Sequence, residues 1–384
     1  MDINGLPDDL LVKILSFLPT KVAISTCVLS KRWEFLWMWL PNLEFECDWD
    51  PRPGLGDFIN KKLPLHRAPV IETLRLHPTW NPHIKPEDIK RWIEIAVSRQ
   101  TYFQDVPGRV CLPSLKNLQL QTQLFFEDGK SLQQLLSGCP VLEDLSVQFP
   151  YNDNIREEFT ITIPSLKSLS LFFPSNRNLN KYEINTPSLK YWKLVDWNHG
   201  EHYSLIKNMP NLSEAYFDVG YSNLKILNNA IGPVTSVKRL TICSEVVYGD
   251  GFVFNHLEHL NLCVCKKNSS NLLGQLLKGS SNLRVLDISI KKWCLVCWNQ
   301  PSSVPGCLLS SLQIFNWSGY FGRPRDRDIA VYILKNACHL KKATILADTR
   351  ETFVTNLQMI KELTLCPRAS STCQLIFPDD FGSC

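Results

Sequence analysis

The sequence of 384 residues predicts an α/β fold: a short N-terminal three-helix block, an irregular solenoid with a parallel sheet on its concave face, and a βαβ-like C-terminal cap. Three observations predict this architecture. Apolar residues recur at helical spacing in the first forty residues, the pattern L-x-x-L-x-L occurs nine times between Leu115 and Trp317, and helical and strand-like patterns alternate after that point. We therefore expect a helical module, a repeat array and a closing module.

The N-terminal block is predicted to form three helices. The first begins at Pro7, because proline suits the first position of a helix, and the two acidic residues that follow favour the positive end of the helix dipole. Pro19 ends this helix, and Thr20 and Ser30 are predicted to cap the second and third helices. A block of this size cannot bury all of its apolar surface alone. We therefore expect a partner to cover part of that surface.

Four segments of this block carry a distinctive set of residues. They are Leu6-Pro7-Asp8-Asp9-Leu10-Leu11, Ile14-Leu15-Ser16-Phe17-Leu18-Pro19, Val28-Leu29-Ser30-Lys31-Arg32-Trp33 and Leu36-Trp37. Together they resemble a plant F-box. In that family the module docks on a Skp-type adaptor, which links it to a cullin-based ubiquitin ligase. The alternative interpretation is an ordinary three-helix end cap whose leucines all face inward.

The resemblance implies an adaptor-binding site in the helical block. Its predicted members are Leu6, Pro7, Leu10, Leu11, Ile14, Leu15, Val28, Lys31, Arg32 and Trp33.

The nine copies of L-x-x-L-x-L define a repeat. Their first apolar residues are 27, 24, 23, 23, 25, 20, 26 and 29 residues apart, close to the period of leucine-rich repeats. Each repeat is a short strand plus a return segment that cannot hide its apolar face, so neighbouring repeats must stack. Two return segments, Ser131 to Leu136 and Leu272 to Leu277, are predicted helices, whereas the polar segment Asn176 to Asn185 is predicted to be a loop.

Alternation along each strand indicates which residues face solvent on the concave surface. Aromatic and charged residues at these positions are the candidate target-binding site, since Tyr and Arg are enriched where binding energy concentrates. They are Phe172, Tyr191, Lys193, Glu214, Tyr216, Asp218, Arg239 and His259. The alternative is that these residues only satisfy the β-propensity of exposed strand positions.

The C-terminal part carries a second resemblance. Its segments are Trp298-Asn-Gln-Pro301, Val304-Pro-Gly-Cys307, Phe315-Asn-Trp317, Ala330 to Ala337 and Ser371-Thr-Cys373-Gln-Leu375. They resemble the FBD module of plant F-box proteins. From the residues alone we predict helices at 327–337 and 356–363 and strands at 340–346 and 373–377, which would close the open end of the array.

These patterns divide the chain into an F-box at 1–45, a loop-rich linker at 46–66, leucine-rich repeats at 67–297 and an FBD domain at 298–384. The first strand of the array is predicted at Val70 to Leu76, and a returning helix at Pro86 to Ala96. The next strand begins only at Leu115, an anomalous interval. We hypothesise that about one repeat is missing between Ser98 and Leu115, through an alternative transcript or gene model.

Composition excludes several classes of function. The net charge of +4 is small and the basic residues are scattered, so we predict no nucleic-acid partner. No run of eighteen apolar residues and no signal peptide is visible, so we predict no membrane partner and a location in the cytoplasm, the nucleus or both. The fourteen cysteines, spread singly, are expected to stay reduced there.

Neither a metal site nor catalysis is expected. Cys263-x-Cys265 and Cys294-x-x-Cys297 could together bind zinc, but the apolar flanks of the second pair are typical of core, so we predict no metal. The sequence lacks a Gly-rich phosphate loop, G-x-S-x-G and H-E-x-x-H, so we predict neither an enzyme nor a cofactor.

The predicted function is therefore that of a substrate-recognition subunit of a Skp-cullin-F-box ubiquitin ligase. The F-box would bind the Skp-type adaptor, and through it the cullin, while the repeats bind a protein target for ubiquitination. The alternative is an F-box scaffold or non-functional duplicate that binds the adaptor without a ligase role.

Overall fold

The computed structural model describes residues 3–46, 55–77, 112–121, 129–149, 157–175, 179–198, 203–207, 209–220, 232, 234–244, 252–263, 269–290, 298–347 and 356–378. The fold is α/β, with parallel strands and short helices, as predicted. The chain divides into two compact units, Met1–Leu189 and Lys190–Cys384.

The first unit begins with the predicted helical block. Its helices are α1 (Asp8–Leu15), α2 (Thr20–Ser25) and α3 (Trp33–Leu36). The predicted caps were wrong. Thr20 is the first residue of α2 and its hydroxyl does not cap that helix, and α3 begins only at Trp33, whose N–H donates to the backbone carbonyl of Ser30 at 3.0 Å.

The segment predicted to be a loop-rich linker contains a helix, α4 (Leu55–Lys62). Ile59 on this helix is buried, as is Leu63 one turn later, so apolar residues at helical spacing outweigh the surrounding Pro and Gly. The chain that follows is tied to the end of the helical block. Arg67 and Ala68 N–H donate to the carbonyl of Met38 at 2.6 and 2.9 Å.

The strands of the first unit form one larger sheet and part of a smaller one. They are β1 (Asn42–Glu46), β2 (Thr73–His77), β3 (Asn117–Gln121), β4 (Asp144–Gln148), β5 (Glu157–Thr162), β6 (Ser168–Phe173) and β7 (Leu179–Asn185), with α5 (Gly129–Ser137) after β3. The larger sheet has the parallel order β1-β2-β3-β4-β6, and β5 pairs with β7.

Two of these strands differ from the sequence prediction. The array was predicted to start near Val70, but β1 precedes that strand and pairs with β2. The segment predicted to be a polar loop contains β7, because Tyr182 and Ile184 within it are completely buried. Neither segment carries the full repeat pattern, which explains why both strands were missed.

The anomalous interval between the first predicted strand and Leu115 does not interrupt the pairing of β2 with β3. Leu74 lies opposite Leu118 and Leu76 opposite Leu120, so the two strands pair in parallel like their neighbours. The predicted returning helix at Pro86 to Ala96 and the junction after Ser98 lie outside the described residues.

The second unit continues the repeat pattern. Its strands are β8 (Tyr191–Asp196), β9 (Tyr203–Ile206), β10 (Glu214–Val219), β11 (Arg239–Ser244), β12 (His259–Cys263), β13 (Val285–Ser289), β14 (Ile314–Tyr320), β15 (Lys342–Ala347) and β16 (Gln374–Ile376). Its helices are α6 (Ser269–Gly279), α7 (Gly306–Ser310), α8 (Pro324–Asn336) and α9 (Asn356–Thr364). The strands pair in parallel in the order β8-β10-β11-β12-β13-β14-β15-β16.

The repeat pattern determines which side of each strand is buried. In β12, Leu260 and Leu262 are completely buried, whereas the alternating residues His259 and Asn261 are partly exposed. The same alternation holds in β10 and β13. The apolar residues therefore form the core on one side of the sheet, and the side with the partly exposed residues is called the outer face below.

Candidate functional site

Helix α1 has two apolar faces. Leu11 and Leu15 are buried to 0% and 1% exposure in the core of the helical block, whereas their neighbours Leu10 and Ile14 are 47% and 40% exposed. Each pair is spaced four residues apart, so each forms its own stripe along the helix. One stripe holds the block together, and the other is presented to solvent.

The exposed stripe belongs to a wider apolar surface of the block. Phe17 and Val28 have 80% and 84% of their surface exposed. The members of this apolar surface are Leu10, Ile14, Phe17, Leu18, Val22, Val28, Leu29, Phe35 and Trp39. Monomeric proteins rarely expose so many large apolar side chains in one small module, and such surfaces mark interaction sites. The interpretation of the block as an end cap with every leucine inward is thereby excluded.

The predicted adaptor-binding residues separate into two groups. Pro7, Leu10, Ile14, Val28 and Lys31 are exposed, and Leu6 and Arg32 are partly exposed. Leu11, Leu15 and Trp33 are at most 3% exposed and lie in the core of the block. These three side chains hold the helices of the block together, so the adaptor contact is assigned below to the exposed members of the set.

Arg32 fastens the start of α1 to the start of α3. Its Nε donates to Oδ1 of Asp8 at 2.7 Å, and its Nη2 lies 2.6 Å from the same oxygen. Nη2 also donates to the backbone carbonyl of Leu6 at 2.5 Å. Sequence reasoning placed Arg32 in the binding surface, but its guanidinium is used within the chain to fix the Leu6-Pro7-Asp8 segment.

The candidate target-binding residues occupy the outer face, as the alternation predicted. In the second unit Glu214 on β10 lies opposite Tyr191 on β8 and Arg239 on β11, and Nε of Arg239 is 3.9 Å from Oε2 of Glu214. Burial raises the pKa of Tyr191, and the nearby Glu214 carboxylate raises it further. These side chains form a connected row across three strands.

The neighbouring row combines a cation with an aromatic ring. Nζ of Lys193 lies 5.2 Å from the centre of the Tyr216 ring, and the two residues are directly opposite on β8 and β10. Asp218 follows on the same side of β10 and is partly exposed. Phe172, the candidate that belongs to the first unit, is partly exposed on the outer face of β6.

His259 is part of a hydrogen-bonded group that the sequence analysis missed. Its Nε2 lies 2.6 Å from Oδ2 of Asp287, and Nδ2 of Asn316 donates to Oδ1 of the same carboxylate at 2.8 Å. Burial raises the pKa of Asp287, but the hydrogen bonds from His259 and Asn316 outweigh it and leave the pKa lowered. Asp287 and Asn316 occupy the same alternating positions in the last two copies of the repeat, which is the signal that could have identified them.

The described part of the chain bears on metal ligation and on membrane insertion. No group of three or more His, Cys, Asp or Glu side chains there is arranged to hold a metal ion. Cys265, Cys294 and Cys297 of the alternative zinc site lie outside the described residues. Among the helices within these ranges, none combines the length and the apolar character needed to cross a bilayer.

The described residues contain a helical block with an exposed apolar surface, parallel repeats, and alternating strands and helices at the end. These features define the class of protein: an F-box joined to leucine-rich repeats and an FBD module. Comparison with family models agrees. The F-box domain model matches residues 3–45, and the FBD model matches residues 300–345. A third model, "FBD-associated F-box protein At5g56370, LRR repeats", matches residues 90–248.

Similar proteins from Arabidopsis thaliana align with this chain over nearly their whole length. At5g38570, an FBD-associated F-box protein by name, is 68% identical over 383 residues, covering 99% of this chain and 100% of the relative. FBD-associated F-box protein At5g38590 is 58% identical over 404 aligned positions (94% and 97%), and At4g10400 of the same name is 50% identical over 418 (98% and 99%). The chain belongs to the plant family of FBD-associated F-box proteins.

Proposed function

We propose that this chain is the substrate-recognition subunit of a Skp-cullin-F-box ubiquitin ligase. Its F-box binds a Skp-type adaptor, the adaptor connects it to a cullin, and the outer face of the repeats binds a protein target. The observation that carries the proposal is the apolar surface of the helical block, which the rest of the first unit leaves exposed.

The adaptor contact is assigned to the exposed part of the predicted set. Leu10, Ile14 and Val28 supply apolar area, and burying each large aliphatic side chain contributes about 1.5–3 kcal/mol. Pro7 and Lys31 are exposed beside them. Since association must also offset lost rotational and translational freedom, several such side chains are needed together.

The chain itself supplies no transfer chemistry in this proposal. The matching family models describe an F-box, repeats and an FBD module, and none describes a catalytic domain. Ubiquitin transfer is left to the other subunits of the ligase, and the role of this chain is to hold the target near them.

Co-purification with a plant Skp-type adaptor tests the docking step. We expect Val28→Asp to abolish co-purification, because a carboxylate cannot be buried in an apolar interface without a partner. The matched control is Leu365→Asp, since Leu365 is 73% exposed but lies in the second unit. Loss of adaptor co-purification with Leu365→Asp, or its retention with Val28→Asp, would contradict the proposed docking site.

The ligase role requires a second measurement. Deleting residues 1–45 is unsuitable because it removes most of β1, which pairs with β2. The Val28→Asp chain and the intact chain should instead be compared by pull-down of the cullin and by affinity purification with the proteasome inhibited. Adaptor binding without cullin recruitment or target turnover would favour the scaffold alternative.

A further inference from the structure

The outer face of the second unit contains two aliphatic residues that the core does not require. In β13, Leu286 and Ile288 are buried at 0% and 1% exposure, and Val285 points to the other side with partial exposure. Ile314 on β14 lies directly opposite Val285 and is also partly exposed. Two large aliphatic side chains are therefore adjacent on the solvent side of the sheet.

The outer face of the first unit is different at the corresponding strands. β3 and β4 present Asn117, Gln119, Ser146 and Gln148, and β6 presents Ser168, Ser170 and the aromatic Phe172. These strands pair in the same way without aliphatic side chains on that face. The apolar pair is consequently a local feature of the second unit and not a demand of the repeat.

A cationic residue lies on each side of the apolar pair, Arg239 on β11 and Lys342 on β15. Lys342 is opposite Ile314, and Arg239 is opposite His259, which in turn is opposite Val285. The resulting outer row, Arg239-His259-Val285-Ile314-Lys342, crosses five neighbouring strands. With strands about 4.8 Å apart, the row spans about 19 Å.

The cations at the two ends are accessible to a partner. The side chain of Arg239 is 66% exposed, and its Nε lies as far as 3.9 Å from Oε2 of Glu214. Lys342 is exposed and has no carboxylate partner among the residues that the structure describes. Exposed ion pairs at such distances contribute little to stability. Both cations can therefore pair with a carboxylate of another molecule.

The acidic residue beside the centre of the row does not cancel this pattern. Asp287 follows Val285 by two residues on β13, but its two oxygens are occupied by His259 and Asn316 at 2.6 and 2.8 Å. The surface offered to a partner is thus apolar at the centre and positive at both ends.

We propose that the outer row is a docking surface for a segment of the target protein in which apolar side chains are flanked by Asp or Glu. The assignment to a target rests on the proposed function, whereas the chemistry of the segment rests on the row itself. Complementary charges at the two ends would set the register of the segment, and the central aliphatic contact would supply affinity.

Selection from a random peptide library tests the proposal. Peptides of about twelve residues exceed the roughly six residues of extended chain that span the row. They should be selected against the full chain, both alone and together with the Skp-type adaptor. We expect enrichment of sequences with aliphatic or aromatic residues between acidic ones. Ile314→Ser and Lys342→Glu should each weaken the best peptides about tenfold or more.

Two control variants separate the row from general effects. Gln119→Ala changes the outer face of β3, and Lys335→Glu reverses an exposed charge on α8, so neither should change peptide affinity. Enrichment of neutral or basic peptides, no enrichment at all, or insensitivity to Ile314→Ser would overturn the proposal. Adaptor co-purification is scored separately, so failure of F-box docking remains distinguishable from failure of the outer row.

Discussion

The backbone N–H of Glu44 donates a hydrogen bond of 2.8 Å to the hydroxyl oxygen of Thr20. Thr20 opens α2 and is 1% exposed, and Glu44 lies in β1, so the bond joins the F-box to the edge of the sheet. Residues after α4 reinforce the connection, since Nε2 of the buried His66 is 2.8 Å from the carbonyl oxygen of Leu40. Within the first unit, the F-box and the first strand are one packed piece.

Replacing Thr20 by Val is expected to weaken this connection. The change keeps the shape of the side chain but leaves the N–H of Glu44 without its acceptor, at a cost of about 1–3 kcal/mol in the free energy of unfolding. This loss in the free energy of unfolding is measured by urea denaturation of the chain purified with its adaptor. Ser25→Ala, which removes an exposed hydroxyl on the same helix, should change stability by less than about 0.5 kcal/mol.

Removing the guanidinium of Arg32 is expected to reduce adaptor affinity without unfolding the F-box. The Leu6-Pro7-Asp8 segment would lose the bonds that fix it, and we expect affinity to fall about fivefold or more in Arg32→Ala. Binding titrations with purified adaptor measure this loss. Because Asp8 is 63% exposed, stability should change by less than about 1 kcal/mol.

Two further variants identify the cause. Arg32→Lys keeps the charge but not the forked geometry, so its adaptor affinity should lie between that of the parent chain and that of Arg32→Ala. Asp8→Ala should reproduce part of the loss of affinity. Undiminished affinity in Arg32→Ala would show that the position of the segment does not matter for docking.

Asp326 is expected to make the stability of the second unit depend on pH. The residue lies in the first turn of α8 with 0% exposure; Oδ2 accepts from the N–H of Arg323 at 3.3 Å, and Oδ1 has no hydrogen-bond partner. Burial raises its pKa from 3.8 to about 6. The folded state therefore binds the proton more tightly, and this stabilisation, fully present below pH 3.8, is lost as the pH rises through about 6.

Asp326→Asn is expected to remove this pH dependence. The difference in pKa corresponds to about 3 kcal/mol, so the parent chain should lose stability between about pH 4 and 6.5 while the variant changes much less. Thermal unfolding across that range, with Asp328→Asn as an exposed control on the same helix, checks it. Parallel pH profiles for the parent and Asp326→Asn would refute the assignment.

Gly319 is required by the bulge in β14. Its φ is +71°, and a Cβ there would approach the carbonyl oxygen of Ile290 to 2.6 Å. We expect Gly319→Ala to destabilise the chain by at least about 2 kcal/mol, from the left-handed backbone and the contact together. Gly306→Ala, where the added Cβ meets nothing within 4 Å, should be neutral in the same denaturation experiment.

The hypothesis of a lost repeat before β3 is tested by sequencing the messenger RNA. The alignments with At5g38590 and At4g10400 extend over 404 and 418 positions, more than the 384 residues of this chain, whereas the alignment with At5g38570 covers 383. We expect a longer transcript that carries an additional repeat. An unbroken transcript with this junction as the sole form would contradict the hypothesis.

The sequence by itself determined the repeats. All nine copies of the pattern correspond to strands, from β3 to β14, because burying alternate apolar residues is a local property of each copy. The predicted helices at Ser131 to Leu136 and Leu272 to Leu277 correspond to α5 and α6 for the same reason. β1, β5, β7 and β9 were not predicted because none of them carries the full repeat pattern.

Only the tertiary structure decided which apolar residues remain available. Leu10 and Leu11 are adjacent and chemically identical, yet packing against Trp33 and its neighbours buries one stripe of α1 and leaves the other exposed. The same holds for Arg32, whose residue type suits a binding surface but whose partners, Asp8 and Leu6, lie within the chain. Periodicity defines a face of a helix, but which face is covered depends on the elements that pack against it.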